Sequence, residues 1–174
     1  MARRSTPTRL KTPPLAVKAT AKAYDANVLR PPRPLEFREI EALLASETPA
    51  RLATLDADGF PHVTPLWFIW IDGAFFMTSI SDRPHIERLS RDARAGLVID
   101  VEDPERADGQ RPNRQVRATG RARVCDDHDA AWTTRITRKY VHGPGANTQI
   151  QSRAQVPRTV IRLDPDSLVG YSSV

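Results

Sequence analysis

Apolar side chains recur at helical spacing at Phe37, Ile40, Leu43 and Leu44, between Glu36 and Ser46, which predicts a short amphipathic helix where an ordered fold begins. Residues 51 to 56 then alternate as a strand, and Ala57-Asp58-Gly59 supplies turn chemistry before a second strand over 61 to 71. Asp72-Gly73 predicts a tight hairpin into a third strand over 74 to 79. Pro84 opens a short helix carrying Ile86 and Leu89, with Ser81 or Asp82 as its cap. A buried strand over 96 to 101 follows, then a polar loop over 103 to 113.

The strand over 115 to 124 has the cleanest period. Val116, Ala118, Gly120, Ala122 and Val124 point one way, and Arg117, Thr119, Arg121 and Arg123 the other. Beyond it the pattern predicts a helix over 126 to 140 with Trp132, Ile136 and Tyr140 on one face, a loop over 143 to 155, and a last strand over 158 to 163. About six strands and three short helices, with no regular βαβ alternation, read as an α+β fold built on an antiparallel, barrel-like sheet.

Both faces of the second strand are apolar: Val63, Pro65, Trp67, Ile69 and Ile71 on one side, Leu66, Phe68 and Trp70 on the other. One face fills a barrel. The other needs a cover, which a helix, a planar ligand or a second subunit would provide, and an uncovered Phe68–Trp70 stripe would be an association site. This reading favours a homodimer.

Composition narrows the class. The 174 residues contain one cysteine and four scattered histidines, so neither a disulfide framework nor a clustered metal site is expected. No apolar run is long enough for a membrane span, and the reducing cytoplasm is the default setting. Whole-chain charge is +5, but residues 1 to 33 hold eight basic and one acidic side chain, a surplus of seven, so residues 34 to 174 carry −2. The basic surplus therefore belongs to a Pro-containing arm expected to be flexible, with a polyproline ligand or an anionic tether as its alternatives, and a nucleic-acid-binding fold is not expected.

No nucleophile elbow, Rossmann glycine pattern or phosphate-binding P-loop is present. What remains is Met77-Thr78-Ser79 with Arg83, where two hydroxyls end a strand just before a helix N-terminus. Hydroxyls, a guanidinium and unpaired helical N–H groups together suit a phosphate, although a helix cap beside a solvated arginine uses the same residues. His85 and His142 are the accessible proton donors, each also readable as an ordinary surface or cap residue.

Arg51-Leu-Ala-Thr-Leu-Asp-Ala-Asp-Gly-Phe-Pro-His-Val-Thr-Pro-Leu-Trp67, Asp72-Gly-Ala-Phe-Phe-Met-Thr78, Arg83 and Arg114-Gln-Val-Arg-Ala-Thr-Gly-Arg121 together resemble the pyridoxamine 5'-phosphate oxidase-like flavoproteins, the split β-barrel flavin and deazaflavin oxidoreductases. The resemblance spans roughly residues 35 to 171. It implies a homodimer with FMN in clefts between the barrels. His62, Val63, Thr64, Pro65, Leu66 and Trp67 match the segment lining the flavin ring and ribityl chain, and Met77, Thr78 and Arg83 match phosphate-side positions. Gln115 matches a glutamine that approaches the flavin. Gln151 and Ser152 match a pair contributed by the other subunit.

His62 and Trp67 stand where vitamin-processing members carry Arg and Lys, and Pro84 replaces a second basic residue. A pyridoxine phosphate substrate would lose cationic partners here, and the chain is more similar to small FMN or deazaflavin (coenzyme F-420) reductases. Hydride transfer to or from a small organic substrate is the implied activity, with the catalytic residue unassigned. A row of Arg114, Arg117, Arg121 and Arg123 would suit the acidic tail of the deazaflavin, but its strand parity also fits a solvated face. A noncatalytic protein that holds flavin, haem or a tetrapyrrole is the alternative from another class.

Overall fold

The computed structural model describes residues 32–105, 107, 109 and 111–173. Most of the basic arm, residues 1–31, lies outside the described residues. A two-residue strand, β1 (Arg33–Pro34), pairs with the last strand, so the expected boundary after residue 33 falls inside the sheet.

After β1 come α1 (Phe37–Ala45), β2 (Ala50–Leu55), β3 (Pro61–Leu66), β4 (Phe68–Ile71), β5 (Ala74–Ile80), α2 (Pro84–Arg91), β6 (Arg94–Glu102), β7 (Asn113–Asp126), α3 (Ala131–Tyr140), α4 (Ala146–Ala154) and β8 (Arg158–Ser173). All strand pairs are antiparallel, in the order β3-β2-β6-β7-β8-β5-β4 with β1 on β8. This curled sheet with four short helices is the expected α+β half-barrel.

The second strand is corrected. It breaks at Trp67, so its first half pairs with β2 and its second with β5, and the two ends of the sheet are halves of one chain segment. The break also moves the aromatics. Phe68 is fully buried and tilts against Phe75, and Trp70 packs on the same ring. The exposed Phe68–Trp70 stripe therefore does not exist; the exposed apolar side chains around this segment are Phe60 (69%), just before β3, and Val63 (63%) within it.

Other expectations hold in detail. Ile40, Leu43 and Leu44 of α1 are buried, at roughly 1.5–3 kcal/mol each, whereas Phe37 at the first turn is left exposed. Asp72 and Gly73 both take positive φ, as a type I′ hairpin turn requires. Val116, Ala118 and Ala122 face the core while Arg117, Thr119, Arg121 and Arg123 are exposed. The cap of α2 is Arg83, not Ser81 or Asp82.

Two elements differ further along. The expected loop over 143 to 155 contains α4, and β8 runs ten residues beyond its expected end, absorbing Asp166 in a bulge opposite Thr119–Gly120. Gly120 is needed there: a Cβ would strike the carbonyl oxygen of Asp164 and lie 2.8 Å from Cα of Pro165.

Candidate functional site

Residues on the sheet side opposite the core form three rows across the strands. Val63, Ala53, Gly96, Thr119 and Ser167 make one row, and Pro65, Arg51, Val98, Arg117 and Val169 the next. Asp100, Gln115 and Tyr171 continue a third. Their neighbours in sequence, including Leu52, Leu97 and Ala118, are buried on the other side, so alternation alone puts these groups on the outer face. Small and β-branched residues leave its centre flat. A Cβ on Gly96 would meet only Ala118 O at 3.5 Å and Thr119 Cγ2 at 3.7 Å, so nothing within the chain requires glycine there.

The polar groups of this face are organised. Arg117 Nε donates to Gln115 Oε1 at 2.8 Å, and the Arg117 guanidinium lies 4.8 Å from the centre of the Tyr171 ring. Arg51 pairs with Asp100. Gln115 is only 8% exposed, yet its side-chain N–H2 has no acceptor among the described residues. A buried amide donor without a partner is costly, and a ligand acceptor would relieve it.

The phosphate-side positions separate. Met77 is fully buried, so its side chain is part of the core. Thr133 Oγ1 and Thr78 Oγ1 lie 3.3 Å apart under α3, and Ser79 Oγ lies 2.7 Å from His85 Nε2. Both hydroxyls thus have protein partners. Arg83 is exposed at the start of α2, whose first turn receives no side-chain capping bond; Pro84 has no N–H and the Ile86 amide donates to the Arg83 carbonyl at 2.9 Å, so the guanidinium stands beside the His85 amide.

His85 is buried, not a surface or cap residue, and burial, with Arg88 and Arg83 adding to it, holds its pKa below the usual histidine value. His142 is exposed, 3.0 Å from Glu47. His62 is 2.9 Å from Asp56, whose other oxygen accepts the Asp58 and Phe60 amides, so the histidine locks the β2–β3 turn. Thr64 and Leu66 are half-buried, with Leu66 packed against the core.

Trp67 has two partners that no sequence pattern marks. Tyr140 stacks on it at 4.8 Å and 2°, and the Arg153 guanidinium lies 4.6 Å from its ring centre. The Tyr140 hydroxyl accepts the Phe68 amide at 3.2 Å, next to the break. Gln151 and Ser152 are exposed on α4. In the arginine row, Arg114 binds Asp103 and Arg123 binds Asp164, while Arg121 points to solvent.

The pyridoxamine 5'-phosphate oxidase family model matches residues 37–170. The chain belongs to this family. No curated protein matches it at a significant level. Among solved structures, the family fold recurs in an FAD-binding protein of Mesorhizobium loti, at 20% identity over 82% of this chain and 99% of that one, with a TM-score of 0.58. A conserved hypothetical protein of Mycobacterium tuberculosis matches at 20% identity over 86% and 89%, TM-score 0.62. The haem storage protein HutZ of Vibrio cholerae matches at 17% identity over 77% and 94%, TM-score 0.59. The solved structures that share this fold thus include one named as FAD-binding and one named as a haem storage protein.

Proposed function

We propose that the protein is a homodimeric flavin-dependent oxidoreductase that binds FMN on the outer sheet face and transfers hydride to or from a small organic substrate. The buried amide of Gln115, unpartnered among the described residues, carries this reading. It sits in a face whose other groups are small, flat or guanidinium, which suits a planar ring with a polar edge. Arg83 and the His85 amide at the start of α2 would hold the phosphate. Gln151 and Ser152 of the partner subunit would close the cleft, and a second copy would cover Val63 and Pro65.

The flavin, when bound, supplies the hydride chemistry. The chain's own groups bind and orient it: Gln115 offers an N–H to the ring edge, Arg117 a fixed positive charge, and the Ala53–Gly96 floor a close approach. His62 and Trp67 are tied to Asp56, Tyr140 and Arg153, so neither offers the cation that a pyridoxine phosphate would need. Deazaflavin F-420 in the same cleft is the close variant; one structure of this fold is an F420 reductase.

Absorbance titration of the purified protein with FMN, F-420 and haem, alongside sedimentation, tests the proposal. Saturable FMN or F-420 binding by a dimer, weakened about tenfold in Gln115→Leu, is the expected result. Haem binding without flavin binding would make the protein a carrier, and binding of none would overturn the reading.

A further inference from the structure

Where β7 ends and β8 begins, the chain encloses an open cleft of about 400 Å3, none of whose lining residues belongs to the expected cofactor site. That volume lies in the range of small-ligand sites. One wall is the 127–130 turn and the other the segment entering β8 at Pro157 and Arg158.

Opposite charges line this cleft without forming an ion pair. Asp127 and Arg158 both line it, and the Asp127 amide donates to the Arg158 carbonyl at 2.9 Å, yet no carboxylate among the described residues lies within ion-pair distance of the Arg158 guanidinium. The guanidinium is half-buried. Its Nε reaches the Arg153 carbonyl at 3.4 Å, and neither Nη has an acceptor among the described residues. Burial, with Arg153 adding to it and Asp127 opposing it, lowers its pKa, so the Asp127 charge only partly compensates this cation.

The acidic wall is fixed in place. Each Asp127 oxygen already accepts one amide of α3, from Trp132 at 2.9 Å and Thr133 at 2.8 Å, which leaves each with a free lone pair. Asp129 and Ala130 both have positive φ, 55° and 51°, and neither is glycine. Two consecutive left-handed residues persist only where their surroundings impose them, and here they hold Asp129 among the residues that line the cleft.

We propose that this cleft binds a small zwitterion of the amino-acid type, with its carboxylate on the Arg158 Nη groups and its ammonium on Asp127 and Asp129. An anion alone would meet two carboxylates and a cation alone would meet Arg158. A small molecule carrying both charges satisfies each wall.

Thermal-shift and calorimetric titrations of the full chain with the twenty free amino acids, each at about 10 mM, provide the test. Acetate and ethylammonium serve as half-ligand controls. At least one amino acid should bind saturably where neither control does. Arg158→Gln should abolish binding, Arg158→Lys should weaken it about tenfold, and Asp129→Asn, which tolerates the left-handed backbone, should weaken it similarly. Absence of any amino-acid effect, equal binding of acetate, or unchanged affinity in both Arg158→Gln and Asp129→Asn would overturn the proposal. If Arg158→Gln does not fold, Asp129→Asn decides. Flavin titration of the same variants should be unchanged, which separates this site from the cofactor reading.

Discussion

Nζ of Lys139, near the end of α3, donates a 2.9 Å hydrogen bond to the carbonyl of Leu44 in the last turn of α1 and lies 3.9 Å from the centre of the Phe68 ring. One ammonium thus ties two helices over the buried start of β4. Burial lowers its pKa from 10.5 to about 8, against the opposing charge of Glu47. The folded state therefore binds fewer protons than the unfolded chain between those values, and stability rises as pH increases through that window. Because the side chain is partly exposed and two aromatic faces favour its charge, the gain should be about 1–2 kcal/mol. Urea unfolding at about pH 7.5 and 9.5 should show it in the native protein and not in Lys139→Met.

His85 predicts the acid side. Its imidazole is less basic folded than unfolded, so its contribution is fully present above the unfolded value of 6.5 and is lost as pH falls below it. In an NMR titration its ring resonances should titrate with a midpoint below 6.5. A midpoint at or above 6.5 would contradict the burial that lowers it.

Gly120→Ala should be severe. The added methyl meets main chain at Asp164 and Pro165, which cannot swing away as a side-chain tip would. A loss of about 2–3 kcal/mol in denaturant unfolding is expected.

Gly96→Val should behave in the opposite way. Its Cβ has ordinary contacts and the strand favours a β-branched residue, so stability should change by less than about 1 kcal/mol. The side chain would nevertheless rise from the flat centre of the outer face, and FMN binding and dimerisation should both fall. A folded variant with native cofactor affinity would show that the ring does not lie over Gly96.

The sequence exposed what periodicity controls. Val116 to Val124 gave both the strand and its two faces, since one side is apolar and the other is not. The break at Trp67 was invisible because the apolar run continues straight through it, and only pairing with β2 or β5 distinguishes the halves. α4 has no buried residue, so it lacked the stripe that marks a helix. Pro165 and the acids around it read as a strand end, and the bulge at Asp166 carried β8 past them. For the candidate site, motif order located Gln115, but its burial depends on Arg117 and Tyr171, and the stack of Arg153 and Tyr140 on Trp67 depends on α4, which was itself unseen.

The split of one segment into the two ends of the sheet also governs how copies of this chain can meet. A strand end with free N–H groups recruits further strands, and neither half here is well suited to do so. Pro61 and Pro65 have no N–H to offer along β3, and the Tyr140 hydroxyl already holds the first amide of β4. Growth of the sheet by strand addition is discouraged at both margins, so the proposed pairing through the broad outer face has no competitor there that would open into a fibril.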